Sequence, residues 1–313
     1  MKALITGITG MIGGQLAPLT SALGYETFGI ARFSAASRMA AIQDQNVFRC
    51  DILDRDALER LMAKIKPDLV IHLAAQAYNG LSWQMEDITH LTNYTGTLNV
   101  LKACRRLVPE AKVVLAGSSA AYGDVKAEDA PLKEARPLKP ITPYGVTKAA
   151  IEALGYQYFK NYGMAVFLPR LFIHVGTGHP PATAIQNFAR QLALISRGMA
   201  APTIEVGNLA TARDFVDVRD GARAMLLVAE KGTPGDPINI CSGTAHRISQ
   251  ILDMLLEISG QKVQIRPDPE LMRPSDEPFL LGDNTKLKAL GWSPNFSIKQ
   301  TLAAVYEDWL SRI

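Results

Sequence analysis

The chain has 313 residues, 48% hydrophobic and 20% charged, with a formal net charge of +3, an ordinary globular composition long enough for two closely associated domains. No basic block stands out and no apolar run is long enough to span a bilayer, so neither nucleic acid nor a membrane is the expected partner. The three cysteines, Cys50, Cys104 and Cys241, lie far apart without metal-ligand spacing, so they are expected to be buried and reduced, with no metal site, in a cytoplasmic protein whose first strand leaves no room for a signal peptide.

Residues 2–6 form a short apolar run that predicts a buried strand. Gly7-Ile8-Thr9-Gly10-Met11-Ile12-Gly13 follows at once, and Ile12, Leu16, Leu19 and Leu23 then recur at helical spacing. Strand, glycine turn and helix make the first unit of a dinucleotide-binding fold. Gly7 permits a tight turn, Gly10 lets a diphosphate approach the backbone, and Gly13 lets the helix pack close to the sheet. The N–H groups and dipole of the helix then attract phosphate. Pro18 lies inside that helix and should kink it. Residues 27–30 predict the second strand, followed by Arg32 and then Arg38. An arginine after this strand accommodates a 2′-phosphate, where a carboxylate would bond a 2′-hydroxyl. Two solvated loop arginines are the alternative, and the placement after the strand favours the phosphate.

Residues 47–50 predict strand three, followed by Asp51-Ile52. Leu58, Leu61, Met62 and Ile65 give a helical stripe ended by Pro67. Residues 69–73 predict strand four, in which His72 reads as a satisfied buried histidine rather than a ligand. A long helix is expected from about 85 to 107, with Asn93 and Thr97 on one face. Residues 113–117 predict strand five. The alternation of strands and helices implies a doubly wound parallel sheet of Rossmann type, with ligands at the C-terminal strand ends.

Strand five ends in Ser118-Ser119-Ala120-Ala121-Tyr122-Gly123. A proline-rich loop then leads to Pro143-Tyr144-Gly145-Val146-Thr147-Lys148, which opens a helix. Tyr144 and Lys148 are four apart and share a helical face. An ammonium there would favour the phenolate and lower the tyrosine pKa, and a serine at the strand end would hold a substrate oxygen beside the phenol. An exposed Tyr/Lys pair is common on helices. It becomes informative beside a glycine loop and a serine at strand five.

These segments, together with His72-Leu73-Ala74-Ala75 and Asn93, resemble the extended short-chain dehydrogenase/reductase family over nearly the whole chain. The resemblance implies a catalytic set of Ser118, Tyr144 and Lys148, with Ser118 preferred to Ser119 because it lies four residues before Tyr122. It implies a nicotinamide dinucleotide, NADP(H) preferred and NAD(H) the alternative. The cofactor would be held by Gly7, Gly10, Met11, Ile12, Gly13, Arg32, Asp51, Ile52, Leu73, Ala74, Ala75 and Asn93, with Tyr144 and Lys148. It further implies a homodimer built from the helices near 85–107 and 144–162.

After strand six, at 166–170, the alternation breaks. Ile185, Phe188, Leu192 and Ile195 predict one amphipathic helix, 217–230 a return helix, 238–241 a further strand of the main sheet, and Ile248, Ile251, Leu252 and Leu255 another helix. The expected domains are therefore 1–170 plus about 213–242 for the dinucleotide, and about 171–212 plus 243–313 as a smaller, discontinuous α/β substrate domain. Val206-Gly207-Asn208-Leu209, Arg213-Asp214-Phe215 and Arg273-Pro274-Ser275-Asp276 resemble the GDP-sugar branch of the family, and within it the GDP-4-dehydro-6-deoxy-D-mannose reductases. That resemblance implies substrate contacts from Ser118, His174, Asn187, Val206, Arg213, Arg273 and Asp276. The two arginines would clamp the diphosphate, and Asp276 would take the ribose. Ile173 departs from the asparagine usual there, and cannot make its hydrogen bond; His179 reads as a loop residue.

The expected activity is NADPH-dependent reduction of the C4 ketone of a GDP-linked 4-keto-6-deoxy sugar. A nucleotide-sugar 4-epimerase and a 4,6-dehydratase are the nearest alternatives, and a non-catalytic redox-sensing protein on the same fold is another. Against dehydration stands Ala120, at the position where the family's GDP-mannose dehydratases carry a glutamate.

Overall fold

The computed structural model describes residues 1–32, 46–272 and 278–313. Its first half runs β1 (Lys2–Thr6), α1 (Met11–Ala22), β2 (Glu26–Ala31), β3 (Val47–Arg49), α2 (Arg55–Ile65), β4 (Leu69–His72), α3 (Glu86–His90), α4 (Gly96–Leu107), β5 (Lys112–Leu115), α5 (Pro143–Tyr162) and β6 (Val166–Leu171). The second half runs β7 (Ile173–Val175), α6 (Ala184–Ser196), β8 (Thr203–Val206), β9 (Ala212–Asp217), α7 (Val218–Lys231), β10 (Pro237–Ile240), β11 (Ala245–Arg247), α8 (Ile248–Ser259), β12 (Gln264–Pro267), β13 (Phe279–Leu280), α9 (Thr285–Ala289) and α10 (Ile298–Arg312).

The main sheet has seven strands in the order β10-β6-β5-β4-β1-β2-β3, every pair parallel. Its strands carry apolar residues on both faces, so each face needs a helical cover. One face buries Ile5, Ile71 and Val114 with Leu16, Met225 and Ile238. The other buries Leu4, Val70, Val113 and Leu115 with Leu58, Met62, Leu101 and Tyr158. This is the doubly wound sheet expected from the alternation.

Local chemistry sets the helix starts. Asp54 accepts a hydrogen bond from Ala57 N at 2.9 Å to cap α2, Thr142 accepts one from Gly145 N at 3.0 Å to cap α5, and Ser297 forms a capping box with Gln300 at α10. Pro143 occupies the first turn of α5, where its missing N–H costs nothing. Pro18 lies on the exposed side of α1, which runs through it; the bond it removes is on the solvent side.

The second unit differs in detail from the sequence reading. β9 pairs with β7, β11 and β13 in a separate sheet, and not with the main one. Residues 212–217 thus lie outside the main sheet, while β10 joins it as the further strand expected there and α7 packs on its face. Leu287 and Trp292, expected in the second unit, sink into the first core, and Trp292 Nε1 donates to Asp220 O at 3.2 Å. β8 and β12 form a parallel pair of their own, and α6, α8 and α10 bury Phe188, Leu192, Leu252, Leu255 and Trp309 between them.

The helical stretch expected over about 85–107 is present without a break, as α3, one π turn at Leu91–Thr95, and α4. A π turn inserts a residue into the helical register, and such turns occur often at functional sites. Here it carries Asn93.

Candidate active site

The glycine turn sits at the C-terminal end of β1. Gly7 has φ +72°, and a Cβ there would lie 2.9 Å from Ala74 N, so the turn and the segment after β4 lie backbone to backbone. At Gly13 a Cβ would lie 2.6 Å from Gly7 O and 2.7 Å from Ile8 Cα. Its smallness therefore seats α1 on the turn itself, and not on the sheet as expected. No side chain caps α1 and no acidic residue lies in its first turn, so the N–H groups of the first turn, at Met11, Ile12 and Gly13, face outward with the positive end of the dipole. This cradle fits a diphosphate.

Around it lie the other expected cofactor residues. Arg32 directly follows β2 and is exposed; Arg38 lies outside the described residues. Asp51 accepts from Leu53 N at 2.9 Å. Ile52 is buried, with its carbonyl accepting from Asn99 Nδ2 at 3.1 Å. The N–H groups of Leu73 and Ala74 both reach Thr6 Oγ1 at 3.2 Å, which pins the strand-four end against the turn; Ala75 is next. Asn93 is 1% exposed and its side chain is taken up by protein. Its Oδ1 accepts from Gln76 N at 2.8 Å, and its Nδ2 donates to Gln76 O at 3.1 Å and Thr147 Oγ1 at 3.0 Å. What Asn93 holds in this structure is the loop after β4 and helix α5.

Ser118, Tyr144 and Lys148 come together at the ends of β5 and α5. Ser118 caps a 3₁₀ turn, Ser119–Ala121, accepting from Ala120 N at 3.1 Å, and its hydroxyl is near enough to the Tyr144 phenol to act on its pKa. Of the two serines, Ser118 is the one whose hydroxyl bears on the phenol. A Cβ at Gly145 would lie 2.5 Å from Ala120 O, so only glycine lets α5 start against this turn. Lys148 is buried, and its Nζ donates to Ala116 O at 2.6 Å. Burial pushes its pKa down to about 8.

The expected electrostatics of the pair are overturned. Burial raises the Tyr144 pKa, and the Ser118 hydroxyl only partly opposes it. The ammonium is committed to a carbonyl, 5.5 Å from the centre of the phenol ring, and the dominant effect on the phenol is loss of water. Tyr144 is thus kept as the protonated acid.

Beneath the site lies a buried polar support that sequence reading missed. Arg170 forms two hydrogen bonds with Glu152, both at 2.7 Å, and donates to the Tyr122 hydroxyl at 2.9 Å and Glu134 O at 2.9 Å. Tyr122 in turn donates to Asn239 Oδ1 at 2.8 Å. A lone arginine at the end of a strand gave no hint of partners 18, 48 and 36 residues away.

The expected substrate residues are more scattered. His174 Nδ1 is 2.8 Å from Phe172 O, its Nε2 has no partner, and a Cβ at Gly221 would lie 1.9 Å from that atom. The ring is therefore pressed against α7. Val206 packs in the core of the second unit, with its carbonyl accepting from Asp268 N at 2.9 Å. Asn187 is half-buried on α6. Arg213 is buried on β9 and donates to Ala212 O at 2.9 Å. Arg273 and Asp276 lie outside the described residues. Ile173, at the usual asparagine position, starts β7 and is paired with Phe215 of β9. His179 is a loop residue, with its ring edge-on to Tyr78 at 5.6 Å. All three cysteines are free and buried. Among the described residues, no group of three or more His, Cys, Asp or Glu side chains could hold a metal ion, and no helix is long and apolar enough to cross a membrane.

A parallel doubly wound sheet, a glycine-lined helix start and a Ser-Tyr-Lys cluster together define an enzyme of the extended short-chain dehydrogenase/reductase class. Comparison with known proteins narrows this. The family model for GDP-mannose 4,6 dehydratase matches residues 4–305, and the chain belongs to that family. It is 34% identical to the GDP-6-deoxy-D-mannose reductase of Pseudomonas aeruginosa, over 85% of this chain and 87% of that protein. It is 29% identical to a GDP-mannose 4,6-dehydratase of Vibrio cholerae, over 98% of this chain and 93% of the other. The structure of RMD from Pseudomonas aeruginosa complexed with NADPH superposes with a TM-score of 0.88 at 31% identity, covering all of both chains.

Proposed function

We propose that this protein reduces the C4 ketone of a GDP-linked 4-keto-6-deoxy sugar, with NADPH as the preferred cofactor and NADH as the alternative. When bound, the dinucleotide supplies the hydride. The chain's own residues do the rest. The cradle of Gly7, Gly10 and Gly13 with the first-turn N–H groups binds the diphosphate, and Arg32 takes the 2′-phosphate. Ser118 hydrogen-bonds the substrate oxygen, Tyr144 donates its proton to the alkoxide that forms, and Lys148 holds the cofactor ribose beside the phenol. The main-sheet unit is the dinucleotide domain. The sheet of β7, β9, β11 and β13 with α6, α8 and α10 is the sugar-nucleotide domain, with Arg213 toward the diphosphate.

The observation that carries reduction over dehydration is the 3₁₀ turn beside the serine. Eliminating water across C5–C6 needs a group that takes the C5 proton and an acid for the leaving hydroxyl. The turn offers Ala120 and Ala121, whose methyl groups move no protons. Of the nearby carboxylates, Glu152 is paired with Arg170, and Glu134 accepts from Asn239 N at 2.9 Å. Asp124 and Glu128 are exposed on the following loop. The likeness to the Pseudomonas reductase supports the same reading.

Two incubations test it. NADPH should be consumed with GDP-4-keto-6-deoxy-mannose, and GDP-mannose alone should be left intact. Loss of water from GDP-mannose by mass spectrometry would overturn the assignment, and tightly retained NAD with no net NADPH consumption would favour an epimerase. A cytoplasmic homodimer completes the proposal. Ile88, Leu91 and Tyr94 on the α3–α4 segment, and Val146 and Tyr156 on the adjoining α5, are exposed apolar side chains that a second copy would cover. A monomeric mass by sedimentation at micromolar concentration would count against it.

A further inference from the structure

One buried group near the site has no part in the chemistry above. His72 closes β4 and is 3% exposed, with both ring nitrogens in hydrogen bonds. Nδ1 is 2.7 Å from Thr6 Oγ1, and Nε2 is 2.9 Å from Thr97 Oγ1. The neighbours fix the direction of each bond. Thr97 Oγ1 gives its one proton to the carbonyl of Asn93, so toward the ring it can only accept, and in the neutral ring Nδ1 is left to accept from Thr6 Oγ1. The His72 proton therefore sits on Nε2 and is donated to Thr97 Oγ1. Thr97 in turn donates to Asn93 O at 2.5 Å.

The chain of bonds continues through the Asn93 residue. Its Nδ2 donates to Thr147 Oγ1, and Thr147 donates to Tyr144 O at 2.7 Å. Every donor from Thr6 to Tyr144 thus points the same way, across β1, β4, α4, the π turn and α5. Burial and the nearby Lys148 charge hold the His72 ring neutral, with its pKa down to about 3. A charged ring would need two acceptors, and would place Nδ1–H against a hydroxyl that already takes the N–H of Ala74.

We propose that His72 is a positioning residue for Tyr144 and Lys148: as a single Nε2–H tautomer it ties the glycine turn, through Thr6, to Thr97, Asn93 and Thr147, and so fixes where α5 stands over the strand ends. The inference rests on the reading that Tyr144 and Lys148 carry the reaction. Along α5, the distal half is held by apolar contact; a Cβ at Gly155 would lie 2.7 Å from Leu168 Cδ2 and 2.8 Å from Leu115 Cδ1. The half that bears the reactive groups is fixed by directional bonds, which tolerate far less displacement than apolar contact.

The test uses Thr97→Val, which removes the hydroxyl at nearly constant volume, beside Thr97→Ser, which keeps it. With NADPH and the keto sugar, Thr97→Val should lower kcat by ~10–100-fold while the dissociation constant for NADPH changes by less than about threefold, and Thr97→Ser should recover most of the loss. Nitrogen-15 NMR of histidine-labelled wild type should show His72 as Nε2–H, unchanged from pH 5 to 9, and Thr97→Val should lose that fixed tautomer. Wild-type kcat in Thr97→Val, equal loss in Thr97→Ser, or an Nδ1–H tautomer in the wild type would each overturn the proposal. If the wild type were inert with this sugar, the proposed reaction would fall while the tautomer measurement still decided the role of His72.

Discussion

Lys148 illustrates what the site costs the fold. Its Nζ is buried and makes one hydrogen bond, to Ala116 O, and burial lowers its pKa from 10.5 to about 8. At pH 7 it is charged in both the folded and the unfolded chain, so folding must strip water from an ammonium. The fall in pKa equates to about 3 kcal/mol. Replacing it by methionine removes that penalty and gives up one charge-assisted hydrogen bond, worth about 1.5–3 kcal/mol. Lys148→Met should therefore be as stable as wild type at pH 7, or more stable by about 1 kcal/mol, although it loses activity. The pH dependence is the sharper test. Between about pH 8 and 10.5 the unfolded lysine holds its proton and the folded one does not, so wild-type stability rises with pH across this window. The methionine variant lacks this contribution. By pH 10 the difference should have moved by about 2–3 kcal/mol in favour of wild type. Urea unfolding of both proteins at pH 7 and pH 10 measures it, because groups common to both cancel in the difference. A difference that stays constant between those pH values would refute the reasoning.

Three further outcomes follow from the site. Tyr144→Phe should lower turnover by about 10²–10⁴ with NADPH affinity nearly unchanged, since only the phenol supplies the proton; stopped-flow turnover and fluorescence titration would show it, and near-normal turnover would remove Tyr144 from the mechanism. Arg32→Ala should weaken NADPH more than NADH in the same titration, whereas equal losses would make Arg32 an ordinary surface residue. Gly13→Ala would set a methyl 2.6 Å from Gly7 O, against ordinary contact beyond 3.4 Å, so α1 or the turn must give by several tenths of an ångström; NADPH affinity should fall at least tenfold, and retention of wild-type affinity would show that the cradle tolerates the shift.

Some of this protein was written locally. The glycine turn after an apolar run, the period-3.6 stripe of α2, and Pro143 before Tyr144 and Lys148 each specify structure through neighbours a few residues apart, and their signals survive in a linear reading. His72 was legible as a buried, satisfied histidine because a titratable ring inside an apolar strand has no other cheap solution. What could not be read was the enclosure and pairing that residues far apart in the chain decide. The Tyr144 phenol and the Lys148 ammonium share a face, which suggested that charge would lower the phenol pKa. Burial under other elements and the Ala116 carbonyl reversed that, because desolvation depends on the whole enclosure. The π turn that carries Asn93 had no periodic signature, and the partners of that side chain, Gln76 and Thr147, reach it from separate segments. The same holds for β9. Its sequence fits either sheet, and its pairing with β7, β11 and β13 was settled by backbone hydrogen bonds between strands brought together only by the fold.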